Sequence, residues 1–471
     1  MAIERSRTKK TLINTATGLI SKFFNIIFSF ALRTAFIYYL GVQYTGVSSV
    51  FSDILTMLSL SELGISTAIA TALYAPLHDK DESKIRKLMN FYKKAYRYIA
   101  VFILIVGIIL LPFLQYLISD VPDIKESIYV IFIFYILKTA ASYLLIYKTT
   151  ILNADQKQYI VTKFETICMF VRYLIEIICI VIFKQFMVYL VIEVIATILQ
   201  NIIVTNKISK NYEYAFKKTD EKLDKKEMKS LFKDIKGLSM FKISSSIGNS
   251  IDNILVSSFI STSIVGILSN YTLIRKQIES ILHQFFNAVL PSIGNLVAEK
   301  DNNRQIIIFN RLFYISFVVV NFCAVSMFVL FSPFIKMWLG EKYVLSNIIA
   351  FIIAFDFFLY ILLQAISSFR TANGLFVKGQ YRPLVTAVLN IILSILLIKK
   401  FGIFGTILAT VICRLVTQWY DPYILFKNVF KSSFKRFYVK YWAYIVLFLT
   451  GGCLTYFITE LININSSIAL C

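Results

Sequence analysis

The sequence predicts an all-α integral membrane protein of about 12–13 transmembrane helices, arranged as two parallel six-helix repeats that form an N-lobe and a C-lobe around a central cavity. Three observations carry that prediction. The 471 residues are 58% hydrophobic and only 16% charged, against about 45–50% apolar and 25% charged in a soluble chain. Apolar runs of about 20 residues, the length a helix needs to cross a bilayer, follow one another from end to end. Short pieces of sequence also recur in the same order some 220 to 222 positions later, which marks a duplicated unit.

The first run, 12–40, follows the charged segment M-A-I-E-R-S-R-T-K-K. It exceeds the apolar core of a secretory signal and lacks a small-residue cleavage site, so it reads as a retained span. Runs at 47–75, 96–118, 128–147, 160–183 and 187–206 complete a first set of six. Seven more lie at 238–262, 264–292, 307–334, 344–369, 384–398, 403–426 and 441–459. The 264–292 run is unusually polar, carrying Arg275, Lys276, Glu279 and His283. The expected organisation is an N-lobe over 1–206, a basic cytoplasmic linker over 207–237, a C-lobe over 238–427, and a basic loop with an additional span over 428–471.

Orientation follows from Lys and Arg in the short loops. Odd-to-even connections such as G-V-Q-Y-T-G (41–46) carry few basic residues, whereas even-to-odd connections carry many, among them Lys80, Lys84, Arg86, Lys87, Lys93 and Lys94. The N-terminus and the even-to-odd loops are therefore expected to face the cytoplasm. The net charge of +22 is spread over these loops instead of one folded face, which argues against nucleic acid as a partner. The linker is expected to be partly helical and to lie along the anionic cytoplasmic leaflet. Six cysteines are scattered without ligand spacing and only His78 and His283 are histidines. Neither a metal site nor a disulfide framework is indicated.

The repeat is clearest in two polar connections. Lys148-Thr149 and Gln158-Tyr159 return as Arg370-Thr371 and Gln380-Tyr381; G-V-S-S-V-F (46–51) returns as G-I-L-S-N-Y (266–271), and P-F-L (112–114) as P-F-I (333–335). A six-span unit starts and ends on one side, so the copies run parallel, as in transporters whose halves are related by an axis along the membrane normal. The repeated connection itself reads as a shared turn between spans four and five and between ten and eleven, with a hinge or gate contact left open.

The stretches R-T-A-F-I-Y-Y-L-G-V-Q-Y-T-G-V-S-S-V-F (33–51), L-S-L-S-E-L-G-I-S-T-A-I (58–69) and L-Y-A-P-L-H-D-K-D-E-S-K-I-R-K-L-M-N-F-Y-K-K-A-Y-R (73–97) resemble the polysaccharide-transport branch of the multidrug/oligosaccharidyl-lipid/polysaccharide (MOP) exporter superfamily. That branch holds the Wzx-type flippases for O-antigen and capsule repeat units. The resemblance implies a MATE/MOP-like fold. It also implies alternating access with an undecaprenyl-pyrophosphate-type lipid-linked oligosaccharide as cargo, membrane lipids around it, and a polysaccharide polymerase and assembly proteins as partners. No cofactor is implied, and proton or sodium coupling stays open.

A charge at mid-membrane costs about 2.5–3.5 kcal/mol on insertion scales, so each should face a partner or a water-filled cavity. The candidate substrate-binding cations are Arg33, Lys138, Arg172, Arg275, Lys276 and Arg414; the candidate cavity acidic and polar residues are Asp53, Glu62, Asn249, Asp252 and Asp356. Arg suits a diphosphate because its planar fork binds two oxygens at once. Structural pairs compete with that reading: Arg33 with Asp53, Arg172 with Glu176 and Arg275 with Glu279, the last two at helical i,i+4 spacing. Lys138 and Arg414 have no local partner, and Asp356 has no basic neighbour within a turn, so it either takes a proton or pairs with a cavity arginine. The in-span cations outnumber what these local pairs neutralise. Lys22, Glu193 and Glu460 are set aside as side chains reaching the interface. A cation-coupled small-molecule exporter of the same fold is the alternative function. An enzyme is not expected, since the outer loops are short and no G-x-x-x-x-G-K-[ST] phosphate loop occurs.

Overall fold

The computed structural model describes residues 2–461 apart from 63–64, 119, 121, 218, 220, 222, 300, 376–378 and 380. Every regular element among the described residues is helical. The chain divides into two compact units, Met1–Ile254 and Leu255–Cys471. Nine helices among the described residues are long and apolar enough to cross a membrane. One of them, Arg382–Phe430, holds two of the thirteen expected spans. The three expected segments outside the nine are 47–75, broken by a 3-10 turn at Ser59–Glu62, and the polar 238–262 and 264–292. The chain is an all-helical multi-span membrane protein.

The first unit contains α1 (Ala2–Tyr39), α2 (Val42–Leu58), α3 (Ile65–Asp79), α4 (Glu82–Leu110), α5 (Leu114–Leu117), α6 (Ile128–Ile146), α7 (Thr149–Ala154), α8 (Gln158–Phe183), α9 (Phe186–Asn211) and α10 (Glu213–Phe216). Helix α11 (Lys225–Phe259) carries the division point. The second unit contains α12 (Thr262–Ala298), α13 (Asn302–Leu339), α14 (Asn347–Leu362), α15 (Gln364–Ala372), α16 (Arg382–Thr417), α17 (Tyr420–Leu425) and α18 (Lys435–Leu461). Within the first unit α4 packs on α6 and α6 on α9; within the second α13 packs on α14 and α14 on α16. The same neighbours in the same order are what a duplicated unit requires.

Outward faces are apolar and open, with Phe102, Ile178, Phe322 and Leu396 exposed, while Glu176, Glu193 and Asp356 are buried. This inversion of the soluble pattern is what a lipid-facing bundle shows. The additional span, α18, lays Tyr444 flat on Phe317 of α13, ring centroids 3.9 Å apart, and Phe448 on Phe358 of α14 at 4.6 Å.

A residue with positive φ makes the sharp corner between α8 and α9 in the first unit and between the two arms of α16 in the second. Lys184 (φ 51°) ends α8, and Gly402 (φ 59°, ψ −137°) breaks α16 into two arms. The arms of α16 are joined by hydrogen bonds from Asn390 Nδ2 to Thr410 Oγ1 and from Thr386 Oγ1 to Thr417 Oγ1, both 2.8 Å.

The repeated polar connection does an equivalent job in each unit. Lys148 donates to Ser209 Oγ at 2.8 Å and lies over the Phe216 ring, tying the turn before α7 to the end of α9. Arg370, its counterpart, pairs with Asp421 of α17, which Arg382 also reaches at 3.0 Å. Gln380 of the repeat lies outside the described residues. In the first unit Asn14 adds a second tie, accepting the Tyr159 backbone N–H at 2.7 Å.

The linker is docked on α4. Arg86 Nε donates to Tyr214 O and Asn90 Nδ2 to Thr219 O, while Lys87 pairs with Glu221 and Lys84 with Glu227. Hydrogen bonds from those lysines hold the Glu221 and Glu227 carboxyls below the usual range. A depressed carboxyl stabilises docking fully above its free value, near 4.3 for Glu, and loses that contribution as pH falls through the depressed one. Hydrogen–deuterium exchange at 213–228, corrected for intrinsic rate, is therefore expected to speed up below about pH 4 relative to α6, modestly because both acids face solvent.

Candidate functional site

In the second unit the polar residues fall on two facing stripes. Arg275, Glu279 and His283 stand at i, i+4 and i+8 along α12, and so share one face. Asp356, Tyr360 and Gln364 repeat that spacing along α14 into α15. Arg275 Nη1 reaches Asp356 Oδ2 at 2.6 Å, the His283 and Tyr360 rings lie 5.8 Å apart, and Gln364 Nε2 is 2.8 Å from His283 Nδ1. Residue numbers rise together along both stripes, so the helices run parallel, as two even-numbered spans must.

A third helix completes the cluster. Arg414 of α16 donates from Nε to Asp356 Oδ1 at 2.5 Å, its guanidinium 4.6 Å above the Tyr360 ring. Arg275 also donates from Nε to Glu279 Oε1 at 2.6 Å. One carboxylate thus bridges two guanidinium groups from different helices. The Asp356 side chain is 2% exposed, against 18% for Arg275 and 14% for Arg414. Lys276, about 100° further round the helix, stands apart from this cluster.

The first unit holds a second buried cluster, across α6, α8 and α9. Lys138 pairs with Glu193 at 2.7 Å. Glu193 is therefore no interfacial side chain, contrary to expectation: it is 7% exposed and faces Lys138 across the helix pair. Arg172 stands 3.5 Å from Glu176 at i,i+4, beyond hydrogen-bond length, and over the Tyr173 ring. Glu176 is fully buried, and among the described residues neither of its carboxylate oxygens, nor Glu193 Oε2, has a hydrogen-bond partner. Arg33 of α1 lies within electrostatic reach of Tyr135 and Tyr189, which flank the same cluster.

The remaining candidates sit elsewhere. Asp53 accepts from Asn253 Nδ2 at 2.7 Å. Glu62 accepts the Tyr96 hydroxyl within a tyrosine cluster that includes Tyr92 and Tyr143. Asp252 is half-buried, and the Asn249 side chain lies outside the described residues. The expected surplus of unneutralised cations changes form: Lys138, Arg172, Arg275 and Arg414 each stand beside a carboxylate of their own unit. Tyr360 and Gln364 were not among the expected site residues, although their i+4 spacing from Asp356 is visible in the sequence. No group of three or more His, Cys, Asp or Glu among the described residues could hold a metal ion.

No family model and no curated protein matches the chain. Its fold matches solved structures at low identity. One is the lipid II flippase MurJ in an inward closed conformation, at TM-score 0.63 and 18% identity, covering 96% of this chain and 99% of that one. Another is the MATE multidrug transporter DinF-BH, solved as a ligand complex, at 0.63 and 16%, covering 90% and 97%. A third is a point mutant of the Vibrio cholerae MATE transporter VcmN, at 0.61 and 13%, covering 92% and 100%. The chain has the MATE/MOP fold, and these structural neighbours are transporters, not enzymes.

Proposed function

We propose that the protein is a flippase that moves a polyprenyl-diphosphate-linked oligosaccharide repeat unit from the cytoplasmic to the outer leaflet of a bacterial plasma membrane by alternating access, for capsule or O-antigen synthesis. The observation that carries this reading is the convergence of Arg275 and Arg414 on the two oxygens of Asp356. Two guanidinium forks within one carboxylate's width match a compact dianion such as a diphosphate diester. The polyprenyl tail remains in lipid, and a polysaccharide polymerase and assembly proteins take up the flipped product. Cytoplasmic orientation of the N-terminus and coupling to protons or sodium belong to the same proposal.

The test is translocation of a fluorescent lipid-linked oligosaccharide in proteoliposomes, read by accessibility to a membrane-impermeant quencher. Arg275→Gln and Arg414→Gln should each slow translocation about tenfold or more, the loss of one charge-assisted hydrogen-bond set. Wild-type protein no faster than empty vesicles would sink the proposal.

Cation-coupled small-molecule export is the second reading, and Glu176 favours it. A fully buried carboxylate with no hydrogen-bond partner among the described residues is suited to hold and release a cation in turn. Efflux of a cationic dye that requires Glu176, without oligosaccharide translocation, would select this reading.

A further inference from the structure

We propose that Asp356 is a built-in counter-anion: it occupies the two arginines when the second unit is empty and yields them to the incoming diphosphate. The proposal rests on the diphosphate reading above and adds how the site is kept neutral between cargoes. Four charges meet there, Arg275 and Arg414 against Asp356 and Glu279, and they balance. A bare pair of arginines within an apolar bundle would be expensive to keep and would hold any stray anion tightly.

The geometry permits exchange. Asp356 takes one nitrogen from each arginine, Nη1 of Arg275 and Nε of Arg414, while a guanidinium has five N–H donors. The arginines keep accessible surface and the carboxylate has almost none, so an incoming anion meets guanidinium N–H groups before it meets Asp356. Tyr360 under the Arg414 guanidinium, and Glu279 on Arg275 Nε, hold both planes in place while the carboxylate is displaced. When the anion leaves, the returning carboxylate competes against its rebinding. No bond is made or broken; the step is an exchange of ion-pair partners.

A purely structural Asp356 and a counter-anion make opposite predictions. Removing its charge weakens anion binding if Asp356 only positions the arginines, and strengthens it if Asp356 competes for them. The probe is UDP-glucose, a soluble disubstituted diphosphate, titrated calorimetrically into the full-length protein in detergent. Asp356→Asn is expected to bind it about tenfold or more tightly than wild type, with Arg414→Gln in that background reversing the gain. Folded Asp356→Asn with unchanged or weaker affinity overturns the counter-anion while leaving the diphosphate site standing. Failure of wild type and Asp356→Asn alike to bind the probe removes the diphosphate site and this inference with it. Should Asp356→Asn be unstable in chloride, sulfate is expected to raise its melting temperature more than that of wild type; equal responses overturn the proposal.

Discussion

Lys138→Met is expected to cost the first unit several kcal/mol, and adding Glu193→Gln is expected to recover most of it. The asymmetry follows from what each variant leaves behind. Lys138 and Glu193 face each other at 2.7 Å from different helices, and Glu193 is 7% exposed. Removing one member of a buried pair strands the other charge and costs about 3–5 kcal/mol, whereas replacing both by neutral groups of similar volume is close to neutral. The stranding is acute here because Glu176 is a second buried carboxylate in the cluster and has no hydrogen-bond partner among the described residues. Arg172, 3.5 Å from Glu176, is the carboxylate-paired cation of the cluster that would remain among the described residues. Thermal unfolding of the purified full-length protein reads the effect. A double variant no more stable than Lys138→Met would mean that the lysine acts through packing, such as its approach to the Tyr135 ring, and not through Glu193.

What the sequence reveals of this arrangement follows contact distance along the chain. Arg172–Glu176 and Arg275–Glu279 are legible because i,i+4 residues share a helix face. The Lys138–Glu193 and Arg414–Asp356 contacts cross 55 and 58 positions, and no local rule joins them. Glu193 stands about 10 Å along its helix at 1.5 Å per residue, shallow enough to suggest an interfacial side chain until α6 is seen beside it. Composition and the length of apolar runs do predict the membrane class, and the matching pieces near 148 and 370 predict the duplication. They do not reveal that a basic side chain ties one connection to the end of α9 and the other to α17. That requires Ser209 and Asp421, which sit outside the repeated stretch. For the same reason Lys138 and Arg414 have no local partner in the sequence: the carboxylates beside them, Glu193 and Asp356, lie on other helices.

Gly405→Ala is expected to be among the most damaging single-methyl changes in the chain, and to weaken diphosphate binding along with stability. A Cβ added at Gly405 would overlap the Leu397 carbonyl oxygen and lie 2.5 Å from its carbon. Those atoms are backbone on the other arm of α16, so no side-chain rotation relieves the clash, and the arms must part. Overpacking of this kind costs about 1–3 kcal/mol where neighbours can shift, and the Asn390–Thr410 and Thr386–Thr417 hydrogen bonds oppose the shift here. Gly402→Ala tests a different term: its Cβ would meet nothing within 4 Å, but φ 59° with ψ −137° is a conformation that a side chain disfavours by about 1–3 kcal/mol. Only the first change displaces the arm that bears Arg414. Arg414 lies nine residues beyond Gly405, about 13.5 Å along a rigid helix, and its Nε sits 2.5 Å from Asp356. Parting the arms therefore moves one guanidinium of the two-arginine site relative to the other. Gly405→Ala should lower both melting temperature and UDP-glucose affinity, whereas Gly402→Ala should lower mainly the former. Equal affinity in the two variants would show that the corner serves folding alone and does not set the spacing of Arg275 and Arg414.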